Sequence, residues 1–224
     1  MLIRGVNRLL PNFGMLPVLP ALLQTVDLSC ERDDRLLIDR LNLSVHQGHI
    51  YQIEGPNGSG KTTLLRVLCG LSTRYTGDLL WQSRSVKQSQ VEFLSSLLYI
   101  GHQPGIKSTL TPRENLSWHV SVKGNHAGAN IDKALVQVGL YGFEDAPCYS
   151  LSAGQQRRVS LARLFLNDCP LWILDEPFTA IDKQGVAELE GWIEQHAANG
   201  GAVVITTHHE LSFQHEHQRV TLGG

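Results

Sequence analysis

Eight residues, GPNGSGKT from Gly55 to Thr62, stand between an apolar run that ends at Ile53 and a helical pattern that begins at Lys61. They fit G-x-x-x-x-G-K-[ST], a phosphate-binding loop when a strand precedes it and a helix follows. Each residue type has a chemical reason to be there. A polyphosphate must be surrounded at close range by backbone N–H groups, and glycine at 55, 58 and 60 permits the left-handed turns and close approach that a Cβ would block. The unpaired amides at the start of the following helix meet an anion with the favourable end of the helix dipole. Lys61 supplies a point charge for the β- and γ-phosphates, and Thr62 a hydroxyl for Mg²⁺. Gly55, Pro56, Asn57, Gly58, Ser59, Gly60, Lys61, Thr62 and the adjoining Thr63 are therefore the candidate nucleotide-binding residues.

The rest of the chain must build a scaffold around that loop. From Leu22 to Ile53 the runs ALLQTVDL, RLLIDRLNLSV and HIYQIE alternate or are apolar and are broken by turns, which predicts strands, several of them antiparallel and half exposed. Gly77-Asp78 followed by LLW predicts a further hairpin element, and Leu64, Leu65, Leu68 and Leu71 predict a helix from about Lys61 to Leu71. Residues 104–150 read as a helical insertion. Thr111, Pro112 and Glu114 open one helix, GNHAGAN is a loop, and Asn130 caps a second helix that Gly139 stops. Strands return at LWIL and AVVITT, with a helix from about Lys183 to Asn199 between them. Continuous apolar runs suit parallel strands covered on both faces, so the expected core is an α/β sheet with helical crossovers.

Composition narrows the function classes. A net charge of −2 leaves no basic excess with which to hold nucleic acid, and no nucleic-acid partner is expected. Cys30, Cys69, Cys148 and Cys169 show no CxxC spacing and read as reduced thiols, not as a zinc site. The run from Met15 to Leu23 is interrupted by Pro17 and Pro20 and is too short to cross a bilayer. The first fourteen residues carry Arg4 and Arg8 without an acid, a composition that suits an interfacial anchor or, on the plainer expectation, a flexible tail or an upstream start codon with Met15 as the initiator.

Two more motifs bear on the chemistry. LWILDE ends an apolar strand in two carboxylates, placing Asp175 and Glu176 at the sheet edge where open α/β folds bind ligands. Asp175 is the candidate to hold Mg²⁺ through water, and Glu176 the candidate to polarise the attacking water. LSAGQQRRVSLARLFL, residues 151–166, sets Ser152 and Gly154 at the start of another helix, a second N-terminus fit for an anion. A helix of about 13 residues is roughly 20 Å long, hard to reconcile with two such ends gripping one nucleotide. A head-to-tail homodimer, each chain capping the nucleotide of the other, removes the difficulty.

With these residues the chain resembles the ATP-binding cassette (ABC) family. GPNGSGKT is similar to its Walker A motif, LSAGQ to its signature and LWILDE to its Walker B. The resemblance implies further roles: Gln103 as the Q-loop glutamine, contacting Mg²⁺ and the reaction centre; Asp182 as the D-loop aspartate; and His208 as the switch histidine at the γ-phosphate. Ala153 replaces one signature glycine, and Arg32 stands where the family places an aromatic ring under adenine. A guanidinium plane can stack on a base as well. The implied fold is a P-loop NTPase of ABC type: a mixed sheet core, an antiparallel β subdomain and a helical signature subdomain at about 104–165. Residues 21–224 would form that domain and residues 1–20 a flexible extension.

Within the family, LSCERDDR (28–35), YIGHQPGIKSTLTPRENL (99–116), GLYGFEDAPCYSLSAGQQRRVSLARL (139–164) and LWILDEPFTAIDKQGV (171–186) resemble the ATP-binding subunits of bacterial cytochrome c biogenesis, or heme exporter, complexes. That resemblance implies ATP and Mg²⁺ as ligands and integral membrane permease subunits as partners. It also implies an indirect link to a periplasmic heme chaperone and a peripheral place on the cytoplasmic face of the inner membrane. The competing expectations are a soluble cassette ATPase of translation or DNA repair, and an ABC importer or exporter subunit for another substrate.

Overall fold

The computed structural model describes residues 20–32, 35–123, 130–214 and 217–223. The expected N-terminal extension and anchor therefore lie outside the described residues, apart from Pro20, as does most of the GNHAGAN loop.

The chain begins with β1 (Leu23–Arg32) and β2 (Arg35–Val45), continues into β3 (Ile50–Glu54), and reaches α1 (Lys61–Leu68) through the glycine loop. Next come β4 (Thr76–Trp81), β5 (Arg84–Ser85), α2 (Gln90–Ser95) and β6 (Leu97–Ile100). A helical stretch of α3 (Pro112–Lys123), α4 (Ile131–Gln137) and α5 (Ala153–Leu161) follows, and the chain closes through β7 (Leu171–Asp175), α6 (Lys183–Ala198), β8 (Ala202–Thr206) and β9 (Gln218–Thr221).

Two sheets result. One is antiparallel in the order β2-β1-β4-β5; the other is parallel in the order β6-β7-β8-β3-β9. The mixed core with an antiparallel sheet expected from the sequence is thus present. The β4–β5 connection is a tight turn whose central residues, Gln82 and Ser83, both have positive φ, matching the right-handed twist of a hairpin.

Side-chain alternation in the parallel strands divides the interior in two. Trp172 and Leu174 of β7, with Val203 and Ile205 of β8, pack with Val120, Leu135, Val159, Leu189 and Ile193 from the helices. Leu171, Ile173, Ala202 and Val204 face the other way, onto Leu64, Leu65 and Leu68 of α1 and the antiparallel sheet residues Leu28, Ile38 and Trp81. All five residues of β7 and of β8 are buried, which is why those runs are apolar without alternation.

The helix starts are set by their caps. Thr111 and Glu114 exchange hydrogen bonds at the start of α3 (3.2 and 2.8 Å), Asn130 accepts from the Lys133 amide (2.8 Å), and Ser152 and Gln155 form a capping box on α5. α5 runs on through a 3₁₀ turn, Ala162–Phe165.

Three elements differ from expectation. α1 stops at Leu68, because Gly70 turns left-handed (φ +69°) and the Leu71 and Ser72 amides fold back to the Arg66 carbonyl, leaving Leu71 exposed. α2 and β6, six and four residues long, have no clear period in the sequence. A further strand, β9, absent from the elements expected above, pairs in parallel with β3 from Tyr51↔Gln218 to Glu54↔Thr221.

Candidate active site

Four parallel strands deliver their carboxyl ends to one edge. β3 ends in the glycine loop, β6 at Gly101-His102, β7 at Asp175-Glu176 and β8 at Thr206-Thr207-His208. Between them lies a cleft of about 580 Å³. Asn57, Gly58, Gly60, Lys61, Thr62 and Thr63 form its floor, Asp175, Glu176, His102 and His208 one wall, and Arg32, Arg35 and Leu37 from the β1–β2 hairpin the other.

The loop is shaped by two glycines in particular. Gly55 (φ +144°) passes so close to its surroundings that a Cβ would sit 2.6 Å from the Leu222 carbonyl and 2.7 Å from Ser59 Oγ. Gly60 (φ +97°) is the left-handed cap of α1, and a Cβ there would meet Leu37 at 3.2 Å, so the hairpin wall stands directly against the phosphate loop. Lys61 Nζ lies along the loop, donating to the carbonyls of Gly55 (2.6 Å) and Pro56 (3.2 Å). Gly55, Pro56 and Ser59 do not line the cleft. They form the back of the loop, with Ser59 Oγ buried and without a partner.

The carboxylate wall is built from register. β7 and β8 pair Asp175 with Thr206, and the Thr206 hydroxyl donates to Asp175 Oδ1 at 2.7 Å. Asp175 is 2% exposed and its Oδ2 has no partner. A buried carboxylate oxygen without a donor is costly unless something positive meets it. This orphaned atom and the Thr62 hydroxyl in the same cleft fit a bound Mg²⁺.

Glu176 adopts φ +48°, a region that non-glycine residues rarely occupy and that marks functional sites when the surroundings enforce it. Its amide donates to the Thr206 carbonyl (3.0 Å) and hydroxyl (3.2 Å), and its Oε2 accepts from the His208 amide (3.2 Å). The other oxygen, Oε1, makes no hydrogen bond and lies 3.6 Å from His208 Nε2. The side chain of Glu176 is 19% exposed and that of His208 64%, so the carboxylate is shielded while the imidazole stands at the rim. Such an arrangement, a shielded carboxylate beside an exposed imidazole at the cleft wall, can take a proton from a water in the cleft.

Gln103, Ser152, Gly154 and Asp182, all expected at the site, stand outside the cleft. Gln103 is exposed and does not line the cleft; the turn after β6 presents His102 instead, because Arg157 holds the Gly101 and His102 carbonyls from the side of α5. Ser152 and Gly154 are also outside the cleft. The Ser152 side chain caps α5, and a Cβ on Gly154 would lie 2.8 Å from the Ala180 carbonyl. Asp182 caps α6 by accepting from the Gly185 amide at 2.8 Å and also accepts from Arg158 at 3.3 Å. Arg32 lines the cleft, and its register partner Arg35 joins it.

Arg35, Leu37, His102, Thr206 and Arg157 were not singled out from the sequence. Thr206 had a signal, a hydroxyl at the end of the AVVIT run; the others become visible only when the hairpin and the turns are placed. Cys169, the cysteine of a Cys-Pro pair, is 3% exposed, and burial pushes its thiol up, as for a structural cysteine.

Comparison with known proteins accords with this geometry. Residues 38–179 match the ABC transporter family model. The chain is 52% identical over 202 residues to the cytochrome c biogenesis ATP-binding export protein CcmA of Hahella chejuensis, covering 90% of this chain and 96% of that protein. It is 56% identical over 190 residues to the protein of the same name from Pseudomonas fluorescens, covering 85% and 90%. Among solved structures, an ATP-binding subunit of an ABC transporter superposes with a TM-score of 0.76 at 22% identity, over 84% of this chain and 79% of that one. An ABC transporter ATP-binding protein from Pyrococcus furiosus gives 0.74 at 23% identity, over 89% and 96%. The chain therefore belongs to the ABC transporter ATP-binding family and, within it, to the cytochrome c biogenesis ATP-binding export proteins.

Proposed function

We propose that this chain hydrolyses ATP as the nucleotide-binding subunit of a transporter for cytochrome c biogenesis. In this role it powers heme export or the release of a heme-loaded periplasmic chaperone. The observation that carries the ATPase chemistry is the pair at the end of β7. Asp175 has an orphaned buried oxygen and lines the same cleft as Thr62, and Glu176 is held there by the His208 amide. The heme role is supported by identities above 50% over most of the chain to proteins named for it.

In the reaction, the oxygen of water attacks the γ-phosphorus, the bond to the β-phosphate oxygen breaks, and ADP leaves with that electron pair. Glu176 orients the water and receives its proton. Lys61 turns from the Gly55 and Pro56 carbonyls to the β- and γ-phosphates, the amides at the start of α1 face the phosphate oxygens, and His208 holds the γ-phosphate from the rim. Thr62 and Asp175 would hold Mg²⁺, which would supply charge neutralisation for the reaction. Arg32, Arg35 and Leu37 would receive the base, by guanidinium stacking and apolar contact.

Ser152 and Gly154 act in trans on this reading. Their place outside the cleft supports a head-to-tail dimer in which each α5 N-terminus reaches the partner's γ-phosphate. Gln103 would enter the site only when that dimer closes. Among the described residues no helix is long and apolar enough to cross a membrane. On the reading proposed here the partners are integral permease subunits, with this chain peripheral on the cytoplasmic face of the inner membrane, a role supported by the similarity to export proteins of that name. To test this, the tagged chain is purified from membranes in mild detergent. Mass spectrometry should find polytopic membrane proteins with it, and the complex should hydrolyse ATP. A chain recovered alone from the soluble fraction would end the transporter assignment and leave the ATPase chemistry standing.

A further inference from the structure

We infer that Arg157 is a positioning residue for hydrolysis, binding the turn that carries Glu176, the turn that carries His102 and the signature helix α5 into one rigid unit. The inference rests on the ATPase reading above. Arg157 sits in α5 and is 2% exposed, one of the largest fully buried side chains among the described residues. Its guanidinium donates to five main-chain carbonyls on two other segments. Nε reaches Pro177 (3.1 Å), Nη2 reaches Glu176 (2.8 Å) and Asp175 (3.3 Å), and Nη1 reaches Gly101 (2.8 Å) and His102 (3.4 Å). The planar fork of arginine, five N–H donors in fixed directions, suits such a fan of acceptors; a lysine ammonium offers three donors from one point.

A staple that served packing alone could fasten any two loops. This one fastens the two turns that carry the cleft's polar wall. Of its acceptors, Glu176 is the residue at φ +48° whose carboxylate faces the cleft, and His102 lines the cleft itself. The Glu176 peptide is thus held from both sides: its amide by Thr206 and its carbonyl by Arg157. Rotating that peptide back to an ordinary helical or extended conformation would break both bonds and swing the carboxylate out of line. α5 is seated on the same region a second time, at its N-terminus, where Gly154 passes close to the Ala180 carbonyl. Burial pulls the Arg157 guanidinium down to about 10, still well above neutrality, so it remains a cation behind the two carboxylates.

A loss of alignment on the scale of an ångström costs turnover by about 10²-fold while leaving groups that only bind nucleotide untouched. The test compares wild type, Arg157→Lys and Arg157→Gln in the complex as purified. It measures steady-state hydrolysis, equilibrium Mg·ATP binding by the Walker A loop and the melting midpoint. The expected result is a kcat lowered by about 10²-fold in the glutamine variant and by less in the lysine variant, with KM and Kd held within about threefold. A purely structural role would lower the melting midpoint and leave kcat per folded molecule unchanged; a folded variant of either kind with wild-type kcat overturns the inference. Should both variants fail to fold, hydrogen exchange on the wild type decides. Peptides covering 99–104, 155–162 and 174–179 should gain protection together on adding Mg·ATP, and protection confined to 174–179 would overturn the rigid unit. A wild-type complex that binds no ATP at all removes the ATPase reading itself, an outcome distinct from a wild type that turns over and variants that do too.

Discussion

Thr206→Val is the most informative single perturbation of the carboxylate wall, because it removes one oxygen and keeps the shape. Thr206 is fully buried, its hydroxyl donates to Asp175 Oδ1 at 2.7 Å and accepts from the Glu176 amide at 3.2 Å, and Asp175 Oδ2 already has no partner. Valine therefore strips a buried carboxylate of its described side-chain donor, whereas the Glu176 amide keeps the Thr206 main-chain carbonyl at 3.0 Å. A hydrogen bond to a charged group contributes about 1.5–3 kcal/mol. In a chain of this size each kcal/mol moves the melting midpoint by about 2–4 °C, so the expected loss is about 3–12 °C. Thr206→Ser is the control: it keeps the oxygen and loses a buried methyl, for about 1 kcal/mol. Thermal unfolding followed by circular dichroism in EDTA measures both variants. A second series with Mg·ATP should narrow the gap between Thr206→Val and wild type, since a cation then meets the carboxylate. A valine variant that melts at or above the serine variant would refute the claim that the hydroxyl supports Asp175.

The remaining predictions address the loop, the water and the pH. Glu176→Gln should lower hydrolysis by about 10²–10⁴-fold while ATP binding persists, and rapid turnover in stopped-flow phosphate release would remove the carboxylate from the water-activating role. Lys61→Ala should weaken Mg·ATP binding by about tenfold or more in a fluorescent-nucleotide titration, and an unchanged Kd would contradict the phosphate cradle. Burial holds His119, near the Arg163 and Lys123 charges, and His196, against Trp172, down at about 4 against an ordinary 6.5. The unfolded chain therefore takes up protons first as the pH falls. Stability should be complete above about pH 6.5 and decline toward pH 4, and a His119→Gln variant should show a shallower decline in melting midpoint over that window.

Much of the nucleotide site could be read in advance because its parts are local. The glycine loop, the strand before it and the helix after it are contiguous, and LWILD is apolar along its length because β7 is covered on both faces. What escaped is what depends on juxtaposition. Arg35 reaches the cleft by pairing with Arg32 across a hairpin, and Arg157 shows nothing in its own helix to say that its acceptors lie some 20 and 55 residues away. Gln103 stands out by motif, yet in the turn after β6 it is its neighbour His102 that lines the wall. β9 is polar because it is an edge strand with exposed side chains, so its stability comes from the ladder with β3 and leaves no apolar pattern to read.

The position of β3 has a kinetic consequence. The strand that carries the phosphate loop has no partner near it in the chain: Tyr51 pairs with Val204 on one side and Gln218 on the other, about 150 and 170 residues further along. Closing such distances is slow, and the entropy must be lost before the ladder rewards it. The glycine loop thus cannot mature as a local folding unit, in contrast to α3 and α4, which adjoin each other in the chain. Acquisition of nucleotide affinity during refolding should be a late event that reports assembly of the whole parallel sheet.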